Sequence, residues 1–164
     1  MTGMKQEKLH VYSVKYGFNQ QLGLPAREAF DWCTDYQPND LGLMKESGKR
    51  RISKITDDTI VLIETLPKDG RPITKTKLVR LNRSKLSWTN THITGPNRHS
   101  QFLYKLVPEG KARSRLYFEG LLVLYSHKKL RGRQLLKIGR KERLADSTSW
   151  RHLAAALRSE VTSS

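Results

Sequence analysis

The stretch from His127 to Glu160 constrains the fold most, because it is the one long helical pattern in the chain. With residues placed at steps of about 100°, Leu135, Ile138, Ala145, Trp150, Leu153, Ala156 and Leu157 fall within about 80° of one direction. Lys129, Arg133, Lys137, Arg140, Lys141, Arg151 and Arg158 fall on the other side. One face needs an apolar surface to lie on, and the other needs water or an anionic partner.

The rest of the chain supplies that surface. Leu9 to Phe18 alternates, with His10, Tyr12, Val14, Tyr16 and Phe18 on one side, and predicts a first strand. Pro25 opens a helix in which Ala26, Ala29, Phe30 and Cys33 keep a helical spacing. Asn39 and Asp40 open a second, short helical turn through Leu41, Leu43 and Met44. From Gly48 onward the period is two. Strands are expected at 50–56, 59–66, 73–82, 86–94, 101–107 and 115–125, with 67–72 (Pro-Lys-Asp-Gly-Arg-Pro) read as a loop. Hairpin-length links make these six an antiparallel meander. Such a sheet must cover its apolar face, and the last helix alone is long enough to do so. The expected fold is α+β: one curved seven-stranded sheet, in the order β-α-α-β6-α, wrapped around a long C-terminal helix. It forms a single domain over 9–160, with an N-terminal tail at 1–8 and a C-terminal tail at 161–164.

With 164 residues the chain suits one domain with one core. Thirty-one Lys and Arg against 15 Asp and Glu give a net charge of +16, which favours nucleic acid, an anionic membrane surface or acidic ligands as partners. A merely basic soluble domain is the alternative. Cys33 is the only cysteine, so no internal disulfide or cysteine-based metal site is expected. No apolar run approaches the ~18 residues of a membrane span, and the N-terminal stretch lacks an apolar signal core, so a cytoplasmic location is expected.

Two local motifs point to a family. Pro25-Ala26-Arg27-Glu28-Ala29-Phe30-Asp31-Trp32-Cys33-Thr34-Asp35-Tyr36 resembles the first-helix signature of the helix-grip (START/SRPBCC) superfamily, with its Glu, aromatic and closing Asp. That superfamily includes START domains, birch-pollen-allergen-like proteins and polyketide cyclases. Tyr104-Lys105-Leu106-Val107-Pro108-Glu109-Gly110 resembles its sixth-strand ending. The resemblance spans roughly residues 9–160. The chain departs from it where Leu43 and Met44 replace a tryptophan and where Ser114 replaces a threonine. It implies a cavity between sheet and helix that holds a lipid, quinone or polyketide-like molecule. Some members of the superfamily carry or sense that ligand, and others cyclise or aromatise it; fold alone does not decide between them.

Candidate cavity residues come from the inward positions. On the strands these are Trp88, Asn90 and His92, then Phe102 and Tyr104, then Phe118 and Leu122, with Asn90, His92 and Tyr104 as orienting groups. On the helix they are Leu135, Ile138 and Trp150, together with Glu142 and Asp146. The last two lie four residues apart in the middle of the apolar stripe, where mutual repulsion is expected to raise the pKa of at least one. They serve either as ligand contacts or a general base, or as part of a helix break in the cap-forming run Ala145 to Ser149. Gly132, Gly139, Ala145 and Ser149 leave room on the same side, for close packing or for a cavity. Binding without catalysis is the expected role. The alternatives are a cyclase or aromatase using Glu142, Asp146, His92 or Tyr104, and a basic module. The basic module rests on His127 to Arg143, which sets eight cations against Glu142 alone; Lys129, Arg133, Lys137, Arg140 and Lys141 would meet nucleic acid or an anionic membrane. The five histidines lack ligand spacing, so no metal is expected, and no motif calls for a cofactor.

Overall fold

The computed structural model describes residues 7–163. Residues 1–6 and 164, parts of the expected tails, lie outside the described residues. The strands are β1 (His10–Leu22), β2 (Lys49–Thr56), β3 (Thr59–Lys68), β4 (Arg71–Asn82), β5 (Ser87–Thr94), β6 (Gln101–Pro108) and β7 (Ser114–Ser126). The helices are α1 (Ala26–Thr34), α2 (Asp40–Leu43) and α3 (Gly132–Thr162). Among the described residues, seven strands form one antiparallel sheet in the order β1-β7-β6-β5-β4-β3-β2. The expected architecture is observed.

The alternation predicted for β1 sets its faces. His10, Tyr12, Val14, Tyr16 and Phe18 are part-buried, while Val11, Ser13 and Lys15 are exposed. α3 packs along this strand, and Gly139 allows its close approach: a Cβ there would lie 2.8 Å from Val14 Cγ1. Close packing is therefore the reason for that glycine. Tyr12 fixes the helix entry by accepting a hydrogen bond at its hydroxyl from the Leu130 N–H at 2.9 Å.

The expected loop at 67–72 is instead a tight hairpin. β3 runs through Lys68 and β4 begins at Arg71, leaving Asp69 and Gly70 at φ 49° and 75° as a two-residue turn. Pro67 pairs with Pro72. Lys68 and Arg71 flank the turn as a hydrogen-bonded pair, so the prolines fall at the next, non-bonded pair, where no N–H is required.

Of the two alternatives for the run Ala145 to Ser149, the continuous helix is the one observed. α3 runs unbroken from Gly132 to Thr162, two residues past the expected domain end. The cap-forming side chains are engaged otherwise. Ser147 Oγ donates to the Leu144 carbonyl, and Ser149 Oγ donates to Glu46 Oε1.

The core sits towards one end. Leu22, Ala29, Phe30, Leu116 and Leu157 are fully or almost fully buried, bringing α1, the sheet and the last turns of α3 together. Burying the leucines and the phenylalanine stabilises by about 1.5–3 kcal/mol each. The middle of α3, around Glu142 to Asp146, contributes no leucine to the inner side, and there the interior opens.

Candidate functional site: a two-chambered cavity

Between α3 and the concave sheet lie two chambers that meet at Glu64, Lys77 and Tyr104, which line both. The first holds about 450 Å³ and is walled by Tyr16, Lys75, His92, Phe102, Glu142 and Asp146, with Glu46 also in its lining. The second holds about 300 Å³ and is walled by Trp32, Tyr36, Arg50, Trp88, Asn90 and Trp150. The first, the charged chamber, is lined mainly by charged and polar side chains, and the second, the aromatic chamber, adds Trp32, Tyr36, Trp88, Tyr104 and Trp150 to charged groups of its own.

The aromatic chamber rests on a stack. Trp88 and Tyr104, paired across β5 and β6, lie 4.9 Å apart with planes inclined by 4°. Trp150 of α3 closes on both, at 6.4 and 5.7 Å. Such rings offer flat apolar walls, and aromatic pairs add about 0.5–1.5 kcal/mol beyond the area they bury.

The partition between the chambers is an ion network across three strands. Glu64 faces Arg50 on β2 and Lys75 on β4. Arg50 Nε and Nη2 donate to Glu64 Oε1 at 3.0 and 2.7 Å, and Lys77 Nζ meets Oε2 at 2.5 Å. Arg50 Nη1 also reaches Asp40 Oδ2 at 3.0 Å, tying α2 to the sheet. Glu64 is 1% exposed. Burial alone would raise its carboxyl, but the Lys77 ammonium and the Arg50 guanidinium outweigh it and hold the group below the usual carboxylate range.

The charged chamber is paired differently. Tyr16 donates its hydroxyl hydrogen to Asp146 Oδ2 at 2.5 Å. Burial, opposed by that hydrogen bond and reinforced by Glu142, pushes Asp146 up to about 6. Burial and the Asp146 charge drive the Tyr16 hydroxyl well above its ordinary value, so it remains a donor. His92 moves the opposite way: burial, with Lys77 and Lys75 nearby, lowers it to about 3. Burial thus favours the neutral imidazole, in the same chamber as a carboxyl raised to about 6.

Two buried polar atoms on β5 have no protein partner. Asn90 is 7% exposed and His92 6% exposed, yet Asn90 Oδ1 and His92 Nδ1 make no hydrogen bond. They stand two residues apart on one face of the strand, hence about 7 Å apart along it. Asn90 lines the aromatic chamber and His92 the charged one. An unpartnered buried polar group carries a desolvation penalty of about 1–3 kcal/mol, which a ligand with hydrogen-bonding groups relieves.

Most of the candidates from sequence converge on these chambers. Trp88, Asn90, Tyr104 and Trp150 line the second, and His92, Phe102, Tyr104, Glu142 and Asp146 line the first. Phe118 and Leu122 are buried core outside both linings; Phe118 stacks on Phe18 and Phe102. Leu135 and Ile138 are half-buried and also outside both linings. Lys129, Arg133, Lys137, Arg140 and Lys141 are exposed on the far side of the helix region. Sequence reasoning missed Tyr16, Arg50, Glu64, Lys75 and Lys77. One signal was present: Glu64 interrupts the inward row Ile60, Leu62 of β3. Among the described residues, no group of three or more His, Cys, Asp or Glu is placed to hold a metal ion.

No family model matches the chain, and no curated protein matches it in sequence. Solved structures do match in shape. The ZhuI aromatase/cyclase from Streptomyces sp. R1128 superposes with a TM-score of 0.71 at 13% identity, covering 93% of this chain and 96% of that one. A START superfamily protein from Mycobacterium smegmatis gives 0.64 at 14%, over 91% and 97%. Norcoclaurine synthase from Thalictrum flavum, in complex with dopamine and hydroxybenzaldehyde, gives 0.58 at 13%, over 85% and 86%. With a seven-stranded curved sheet closed by a long C-terminal helix, the chain has the helix-grip fold that these proteins share.

Proposed function

We propose that this domain binds an amphipathic small molecule in its central cavity, as a carrier or sensor. The flat apolar body would lie between Trp88, Tyr104 and Trp150, and its polar groups would reach Asn90 and His92. The observation that carries this reading is the pair of unpartnered buried atoms, Asn90 Oδ1 and His92 Nδ1, on residues that line the two chambers. Likeness in fold to the START protein and the aromatase/cyclase supports a small-molecule ligand of the lipid, quinone or polyketide class. A titration with the fluorescent apolar probe 1-anilinonaphthalene-8-sulfonate tests it. Saturable fluorescence enhancement, weakened by Trp88→Ala, is expected; no enhancement with the folded chain would sink the reading.

A second reading, an enzyme of the cyclase or aromatase type, has one observation in its favour. Glu142, Asp146, His92 and Tyr104 line the same chamber rather than diverging. A carboxyl titrating near 6 suits a general base that removes a proton next to a carbonyl, with a neutral imidazole to polarise the oxygen. Under this reading Asp146→Asn abolishes turnover of a poly-β-keto substrate and leaves its binding in place. Turnover unchanged in that variant would remove the enzymatic reading.

A further inference from the structure

The far side of α3 is separate from the cavity and has its own chemistry. The helix holds three carboxylates, Glu142, Asp146 and Glu160, and on the helical wheel all three fall on the inward side. Every charge on the outward side is therefore positive. Arg133, Lys137, Arg140, Arg151 and Arg158 are exposed there, and the exposed Lys128, Lys129 and Arg131 of the preceding loop extend the patch.

Set among these cations are two leucines. Leu136 and Leu144 are each 64% exposed. Eight residues apart, they share the outward face at a separation of about 12 Å, with Arg140 between them. A lone exposed leucine needs no explanation. Two in register, ringed by guanidinium and ammonium groups, match the pattern of a helix lying in a membrane interface. There the apolar side chains enter the acyl boundary and the cations meet lipid phosphates. A single-stranded nucleic-acid surface would instead place aromatic rings among the cations for bases to stack on, and a duplex, met through its phosphates, gives two exposed leucines nothing to bury against. Trp150, the aromatic residue of α3, is half-buried against Trp88 and Tyr104. Among the described residues, no helix is long and apolar enough to cross a bilayer, so the contact would be with its surface.

We propose that the outward face of α3, built on Arg133, Leu136, Lys137, Arg140 and Leu144, docks the domain on an anionic lipid bilayer. The cations set the affinity for the charged surface, and the leucines anchor the face in it. The surface stands apart from the cavity, so an empty cavity would leave it intact.

The test is co-sedimentation of the full chain with phosphatidylcholine vesicles made with and without phosphatidylserine. Binding is expected only with phosphatidylserine, and it weakens as salt rises from about 50 to about 200 mM. Arg133→Glu with Lys137→Glu and Arg140→Glu lowers the partition coefficient by at least about a hundredfold. Leu136→Ser with Leu144→Ser leaves the charge untouched and lowers it by about tenfold. A control triple variant, Lys68→Glu with Arg71→Glu and Lys111→Glu, makes the same charge change at exposed hairpin turns and shifts binding by less than about twofold. All these positions are exposed, and far-UV circular dichroism confirms folding. Three results would overturn the proposal. The first is no binding to phosphatidylserine vesicles. The second is equal loss in the control. The third is unchanged vesicle binding by the leucine variant together with tighter binding of a duplex oligonucleotide to the same face, which would assign the surface to nucleic acid.

Discussion

Two sets of polar side chains occupy one cavity, and they are treated in opposite ways. Glu64 is met by Arg50 and Lys77, so its charge is matched within the protein. Asn90 and His92, one in each chamber, are left with unpartnered atoms. A paired buried charge network holds a shape: it joins β2, β3 and β4 and reaches α2 through Asp40. An unpaired buried acceptor does nothing for the empty fold and lowers its stability. The first belongs to the architecture, and the second is what the proposed ligand would satisfy. Each set makes a different prediction when it is altered.

The largest effect is expected at Glu64. Glu64→Ala leaves the Lys77 charge without the carboxylate it meets and Arg50 with Asp40 alone, and about 3–5 kcal/mol of stability is lost. Urea unfolding measures it. A loss below about 1 kcal/mol would mean that the network is solvated and does not organise the partition.

Next come the two titrating groups, whose signs oppose. Asp146 rises from 3.8 to about 6 on folding. The folded chain then binds more protons than the unfolded chain between those values, so this group lowers stability as pH rises from about 4 to 6. His92 falls from 6.5 to about 3. The unfolded chain binds the extra proton in that window, so this group lowers stability as pH falls below about 6.5. Asp146→Asn should therefore stabilise the protein at pH 7, relative to the native chain, by on the order of 2 kcal/mol, with the difference vanishing near pH 4. His92→Phe should have little effect at pH 7 and a stabilising effect of on the order of 2 kcal/mol at about pH 5. Thermal or urea unfolding of the three proteins at both pH values checks the pair. Parallel curves for the native and variant proteins would contradict the assigned shifts.

The smallest effect on stability is expected at Asn90. Asn90→Leu removes an unpartnered acceptor and leaves no partner stranded, so stability should stay level or rise by about 1 kcal/mol. The same variant should weaken a ligand that hydrogen-bonds there by about tenfold, measured by isothermal titration calorimetry once the ligand is known. Loss of stability without loss of affinity would reverse the comparison and place Asn90 with the architecture.

The fold was legible in the sequence because its signals are local. Alternation fixes each strand, and the helical stripe from Leu135 to Leu157 can be read without knowing its partner. The inward row of β5 was visible for the same reason, and Trp88, Asn90 and His92 all reach the cavity. The ion network was not, because it is assembled across strands. In β2 and β4 taken singly, Arg50 and Lys77 look like ordinary solvent-facing charges, and only the register that sets Arg50 opposite Glu64 turns them inward together. Glu142 and Asp146 were readable from their helical spacing, but Tyr16, some 130 residues away, was not. The run Ala145 to Ser149 stayed ambiguous because serine and threonine favour caps unless something else occupies their hydroxyls. Here the Leu144 carbonyl and Glu46 do so. Leu135 and Ile138 show the limit of a helical wheel. It gives the side on which a residue lies but not the distance along the helix at which the cavity begins.

The central claim is that the unpartnered atoms of β5 await a ligand. It is tested most directly by native mass spectrometry of the purified chain beside its Asn90→Leu, His92→Phe double variant, both produced in the same host and both followed by organic extraction. The account predicts an adduct of small-molecule mass on the native chain, released by the solvent and depleted at least about tenfold in the variant. Equal occupancy in the two proteins, or a native chain that carries nothing and takes up no added amphiphile, would contradict it.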